Sequence, residues 1–176
     1  MGNKNNFYMI IVLVVIFVAI NAGFIFFLKS DKSEGVDYNP KINSADFSNV
    51  IDNQYFNLIP RTKYVYESIK EEGEEKIEVY VTEETKSVMG VNAIVVWDRV
   101  WLNGELIEDT KDWYAQDKEG NVWYFGEDSK ELVNGFVVNS EGSWEAGVGG
   151  AKPGIIIKAN PSVGEVYRQE YYKGVA

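Results

Sequence analysis

The chain has no cysteine and no histidine. Without cysteine there is no disulfide, no thiol nucleophile and no lipobox attachment point. A conventional lipidated lipoprotein is therefore excluded. Without either residue, Cys/His zinc sites and imidazole acid–base chemistry are excluded as well. The lack of cysteine does not reveal the redox compartment, because both sides of a membrane tolerate it. Positive charge is also in short supply: 17 Lys and Arg stand against 27 Asp and Glu, for a formal net charge of −10. Such a surface repels phosphate backbones, so no nucleic-acid partner is expected. Nor does it give the soluble part a reason to lie on anionic lipid. It is compatible with cation binding, and solubility explains it equally well.

One long hydrophobic run is present. Residues 7–28, "FYMIIVLVVIFVAINAGFIFFL", carry no charge and one strongly polar side chain, Asn21. As a helix this run reaches about 33 Å, enough to cross the hydrocarbon core. A cleaved signal peptide would have a shorter apolar region ending at small residues. Here the run continues past Ala22 and Gly23 through Phe24 to Leu28. An uncleaved single span is expected, with the lipid bilayer as partner through residues 7–28. Lys4 lies before the span and Lys29 and Lys32 after it, so charge asymmetry orients it weakly. The short head, residues 1–6, resembles the n-region of a signal anchor. This places the C-terminal domain outside the cytoplasm, on a single-pass plasma membrane protein. Residues 29–51 are polar and aperiodic and read as a flexible stalk, in which Pro40 opposes a continuous helix. Residues 52–176 are expected to form one antiparallel β domain.

Beyond the stalk the pattern is alternation punctuated by turn residues. "TKYVYESI" and "EKIEVYVTEET" flank "KEEGE", and "SVMGVNAIVVWDRVWL" turns near Gly90. Asn103-Gly104 is the strongest hairpin signal, because a type I′ turn needs positive φ at both central positions. Pairing outward from it sets Leu102 beside Glu105, Trp101 beside Leu106 and Arg99 beside Glu108. In "DWYAQDKEGNVWYFGED" a type I turn at Lys118-Glu119 followed by Gly120 makes a three-residue loop. Tyr114 then faces Tyr124, and Trp113 faces Phe125. A further hairpin turns at Asn134-Gly135. "GVGGAKPG" reads as a surface loop, "IIIKA" as a strand, "NPSVG" as a turn and "EVYRQEYY" as a last strand. The fold class expected is mainly β: an N-terminal transmembrane helix, then a curved antiparallel sheet, a half-barrel or open barrel, with a two-sheet sandwich second.

Two stretches carry resemblances. "QYFNLIPRTKYVYES" resembles the opening strand of many exported β proteins, roughly Tyr-Phe-Pro-Leu-x-x-Gly-x-x-Trp-x-Tyr. Here Asn57, Arg61 and Tyr64 stand where that pattern has Pro, Gly and Trp. "DWYAQDKEGNVWYFGED", "GSWEAGVGGAKPGI" and "NPSVGEVYRQEYY" together resemble a family of uncharacterised secreted or membrane-tethered bacterial and archaeal proteins, over residues 55–176. That family has no established activity. The resemblance implies a location and a β fold, and no catalytic residue. Its members run some tens of residues further, which implies a chain lacking its last strands. Some exported proteins with similar openings look like half-barrel carriers of lipid or lipoprotein tails, an analogy of fold alone.

Three chemistries are weighed on particular residues. A calcium loop at "DKEGNVWYFGED" would use Asp117, Glu119 and Asn121, but Gly120 stands at position 4 rather than 6, and strands flank it. A P-loop is excluded, because "GVGGAKPG" lacks the G-K-[ST] ending and a following helix. An envelope glycan hydrolase would use Glu145 or Glu141 as one of two paired carboxylates. The leading expectation is non-catalytic. The aromatics Trp97, Trp101, Trp113, Tyr114, Trp123, Tyr124 and Trp144 line a sheet face and bind an apolar or glycan ligand. No catalytic residue, metal ligand or cofactor is assigned.

Overall fold

The computed structural model of the chain describes residues 38–173. The head, the apolar run 7–28 and the first part of the stalk lie outside these residues. Among the described residues no helix is long and apolar enough to cross a membrane.

A 3₁₀ turn at Ser44–Asp46 leads into β1 (Phe47–Ser48), then the small hairpin of β2 (Ile51–Asn53) and β3 (Phe56–Leu58). The body is a meander of β4 (Lys63–Lys70), β5 (Gly73–Val88), β6 (Val91–Leu102), β7 (Glu105–Asp117) and β8 (Val122–Val133). Each strand pairs antiparallel with the next, and the sheet curls into a half-barrel. Three short strands then line the outer edge of β8 in turn: β9 (Phe136–Asn139), β10 (Trp144–Glu145) and β11 (Lys152–Ile157). They act as one strand interrupted by two loop excursions, and β12 (Glu170–Tyr171) closes against β11. The opposite edge, β4, pairs only with β5 and carries Lys63, Glu67 and Lys70. Charges of this kind discourage edge-to-edge association.

Local turn chemistry sets the meander. Asn103-Gly104, Met89-Gly90 and Asn134-Gly135 have φ of 52° and 82°, 50° and 79°, and 52° and 77°, the I′ geometry whose twist matches that of the strands. Register follows from these turns until a bulge intervenes. Leu102 pairs with Glu105 and Trp101 with Leu106 as expected. The extra residue Ile107 then sets Val100 opposite Glu108, so Arg99 meets Asp109 rather than Glu108. A second bulge falls on β8. Asp112 pairs with Glu127 and Tyr114 with Tyr124, so Trp113 is opposed by Phe125 and Gly126 together, not by Phe125 alone. Gly126 has φ +132°, and a Cβ there would lie 2.3 Å from the Trp144 carbonyl oxygen. Glycine is what lets β10 approach β8 at this point.

Three further expectations shift. Residues 38–51 belong to the folded unit instead of the stalk. Tyr38 Oη donates to the Pro153 carbonyl at 2.8 Å, and Phe47 and Ser48 pair with Asp117 and Gln116. "KPG" is the start of β11 rather than the end of a loop. The last strand shrinks to Glu170–Tyr171, because the preceding chain crosses β11 as a strap. The crossing needs Gly154, where a Cβ would meet the Gln169 carbonyl carbon at 2.3 Å.

The two ends of the sheet are packed differently. Near the start of β8 both faces are covered. Phe47 lies edge-on to Trp123 and Phe125 on one face, and Phe56 lies against Tyr114 on the other. Val88, Val91, Ala93 and Val95 are buried on the Phe125 side, and Val81, Ile94 and Val96 on the Tyr114 side. Fully burying one such side chain contributes roughly 1.5–3 kcal/mol. Toward the Asn103 and Asn134 turns the sheet is a single layer, and Ile69, Val133 and Phe136 are exposed.

Candidate functional site

Strand alternation divides the middle of the sheet into two faces. On one lie the cross-strand rows Tyr64–Val79–Asp98–Thr110–Ser129 and Tyr66–Ile77–Val100–Glu108, followed by Val81–Val96–Asp112–Glu127–Trp144. Thr110 is 0% and Asp112 2% exposed, whereas Asp109 and Lys111 beside them on the other face stay half-buried. Burial marks the first face as the inside of the curl.

The inner face carries the carboxyl groups of Asp98, Glu108, Asp112 and Glu127, and Glu170 reaches Glu127 from β12. Burial pushes the Asp98 carboxyl up to about 7, and the Glu108 charge adds to this. Burial also raises Glu108. The Thr110 hydroxyl, donating at 2.9 Å, eases it back, and Glu131 adds a smaller upward push. Asp112, the most enclosed, is held well above the carboxylate range by burial, although Tyr124 Oη donates to it at 2.6 Å. Glu127 is raised to about 7 by burial, then by Glu170 and Glu108, with the Trp144 indole and the Tyr124 hydroxyl acting the other way. Glu170 is raised by burial alone. Arg61, Lys63, Lys70, Lys76, Lys86, Arg99, Lys118, Lys130 and Lys158 all pair with other carboxylates.

Two buried polar atoms on this face have no hydrogen-bond partner, Asp98 Oδ1 and Trp144 Nε1. The Trp144 indole is 4% exposed and close enough to the Glu127 carboxyl to ease it down. Burying a polar group unpaired costs about 1–3 kcal/mol, so two on one surface call for an explanation.

The outer face is arranged differently. Arg99 Nε meets Asp109 at 3.1 Å, Lys63 meets Glu78 at 2.8 Å, and Lys130 meets Asp128 at 2.9 Å. The Arg99 guanidinium stands 4.5 Å over Trp97, and Lys76 Nζ stands 5.2 Å over Trp101. Lys86 Nζ lies 4.3 Å over Trp113 and 3.0 Å from Glu145. Lys63 and Lys76 together hold the Glu78 carboxyl down to about 2. Trp97 Nε1 is also buried without a partner here, beneath Arg99 and Lys111.

The candidate aromatics are thus not on one face. Tyr114, Tyr124 and Trp144 form an inner cluster, with Tyr114 stacked on Tyr124 at 4.9 Å and Trp144 edge-on to Tyr124 at 5.3 Å. Trp97, Trp101, Trp113 and Trp123 are on the outer side. Trp123 Nε1 donates to Asp117 Oδ2 at 2.8 Å. The hydrolase candidates do not share a site either. Glu145 is tied to Lys86 on the outer face, and Glu141 lies in an exposed turn. In the loop weighed for calcium, Asp117 accepts from the backbone N–H groups of Glu119 and Asn121 and from the side chains of Asn121 and Trp123. Its oxygens are occupied in closing the turn. Among the described residues no group of three or more carboxylates is placed to hold a metal ion.

The carboxyl cluster is not among the expected site residues, although part of its signal is in the sequence. In "VVWDRV" Asp98 alternates in phase with Val96 and Val100, and in "EDTKDWY" Glu108, Thr110, Asp112 and Tyr114 would alternate in one phase. Acids in phase with apolar residues mark a buried acidic face. No protein-family model, curated protein or solved structure matches the chain.

Proposed function

We propose that the chain is a membrane-anchored, extracytoplasmic, non-catalytic binding domain whose ligand lies against the inner face of the half-barrel. The observation that carries this reading is the row of partly exposed inner-face carboxyls, Asp98, Glu127 and Glu170, with Asp98 Oδ1 left unpartnered. A sheet that served only as scaffold gains nothing from such groups. A ligand that supplies donors to the exposed part of this row satisfies it. The anchor and its orientation rest on the apolar run 7–28 and the short head before it.

Glycan hydrolysis is the reading this one displaces. Carboxyls do share the inner face, but hydrolysis needs their environments to push the pKa values apart, one acid protonated and one ionised. The two candidate acids do not share a site: Glu145 is tied to Lys86 on the outer face and Glu141 lies in an exposed turn. The test is to incubate the full-length chain with envelope oligosaccharides and lipids, following thermal shift and product formation together. The expected outcome is a stabilising ligand that is not turned over, with the shift lost in Asp98→Asn. Turnover would contradict the non-catalytic reading. A shift indifferent to Asp98→Asn would contradict the placement of the site.

A further inference from the structure

We propose that the strap across β11, residues 165–171, is a pH-operated latch on the inner face, closed in acid and released as the pH rises. The latch stands whether or not this face takes a ligand. The place of the strap is the first reason. Gly154 pairs with Tyr124, whose ring belongs to the inner cluster, so a side chain at 154 would point into the curl. The Gln169 carbonyl carbon fills that place, 2.3 Å from where a Cβ would lie. The strap therefore lies on the inner face and brings the half-buried Glu170 against the acids there.

Glu170 arrives among groups of its own sign. Glu127 meets the charges of Glu170 and Glu108, and Asp112 meets those of Glu127, Asp98 and Glu108. The donors facing this row are neutral. Tyr124 Oη reaches Asp112 at 2.6 Å, and the Trp144 indole and Tyr124 hydroxyl ease Glu127 down. Cations flanking the strap are engaged elsewhere. Lys158 pairs with Glu165 at its start. Arg168 stands 5.7 Å over Tyr38 and 5.4 Å over Tyr171. Lys152 stands 5.6 Å over Tyr171 and donates to the Tyr38 carbonyl. Burial raises the Glu170 carboxyl, and Glu127 is raised to about 7. Both keep their protons in acid, and their folded-state protons are lost as the pH rises through this range. Two carboxylates then repel each other across the strap.

The member held most weakly yields first. Asp98, Asp112 and Glu127 sit in strands of 12, 13 and 12 residues, each paired on both sides. Glu170 sits in a two-residue strand paired with β11 alone, next to the bond from the Ile155 N–H to the Arg168 carbonyl at 2.9 Å. Lifting the strap relieves the repulsion and breaks only these few contacts, so the opening is local. It uncovers the inner face at Gly154 and leaves the outer edge of β11 unpaired.

Hydrogen exchange of the full-length chain, followed by NMR and corrected for base catalysis, tests the latch. Between about pH 6 and pH 8.5 the protection of the Ile155 amide should fall by about tenfold or more, while amides of the β6–β7 ladder keep theirs. In Glu170→Gln the fall should shrink below about threefold. Glu127→Gln removes the same repulsion from the β8 side and should act alike, so if circular dichroism shows one variant unfolded the other decides. Protection of Ile155 that ignores pH would overturn the latch. So would a fall shared by the β6–β7 ladder, which is loss of the whole sheet, or one that persists in the folded variants. Because no ligand takes part, failure of the latch leaves the binding reading intact.

Discussion

Asp98 and Arg99 are neighbours in the chain and lie on opposite faces of the same strand. Arg99 is half-buried, stands over Trp97 and meets Asp109 at 3.1 Å. Asp98 has an oxygen with no partner and a carboxyl pushed up to about 7. On the outer face Lys63, Lys86, Arg99 and Lys130 each meet a carboxylate, and cations stand over Trp97, Trp101 and Trp113. Such exposed pairs are worth about 0–1 kcal/mol each. The inner face is unsatisfied, and unsatisfied buried charge is expensive. The lesson is that the more crowded aromatic surface is the structural one. The function is better sought where electrostatic needs go unmet.

The comparison can be broken most severely at the bulge that brings β10, and with it Trp144, onto β8. Gly126→Ala puts a side chain at positive φ and against the Trp144 carbonyl. The expected cost is at least about 3 kcal/mol in chemical denaturation. A loss under 1 kcal/mol would mean that the bulge is not built as described.

Next comes the turn that joins the two paired strands of the site. Asp117→Ala strands the donors of Glu119, Asn121 and Trp123. A loss of about 2–4 kcal/mol is expected. Added Ca²⁺ should not stabilise the parent chain, because these donors already occupy the Asp117 oxygens.

The inner face itself should respond to pH. The carboxyls of Asp98 and Glu127 rise from 3.8 and 4.5 to about 7 on folding. The folded state therefore keeps protons that the unfolded chain has released. The stability they contribute is fully present below about pH 4 and is lost as pH rises through about 7. Asp98→Asn removes one of these groups. The variant should be more stable than the parent by about 1–3 kcal/mol at pH 8, and the gap should close toward pH 4. A gap that widens on acidification would reverse the sign and refute the description of the inner face.

The smallest effect belongs to the outer face. Arg99→Ala should cost less than about 1 kcal/mol, and most of that should disappear in high salt. A larger cost would make the outer network more than a solvated surface.

Much of the fold was legible because its rules are local. Asn103-Gly104 and Asn134-Gly135 dictate their turns whatever surrounds them, and Tyr114 stacks on Tyr124 as the intervening loop requires. Bulges are not local in this way. Nothing in "LNGELIED" announces that Ile107 is the extra residue, so turn geometry alone sets Arg99 beside the wrong carboxylate. Composition alone puts Tyr38 in the stalk, because its partner, Pro153, is 115 positions away. The site was obscured by attention to residue type. Counting tryptophans gathers seven aromatics that alternation then separates onto two faces. Following the phase of the acids against Val96 and Val100 would have found Asp98. Glu170 has no such signal, because it reaches the cluster by a crossing that depends on Gly154.

The most direct test is a pH titration of the side-chain carboxyl carbons of Asp98 and Glu127, followed by ¹³C NMR in the ligand-free chain. Both should titrate near pH 7, while the paired outer carboxylate of Glu78 titrates near 2. If Asp98 and Glu127 instead titrate near 4, where a solvated carboxylate does, the two faces are electrostatically alike and the account is wrong.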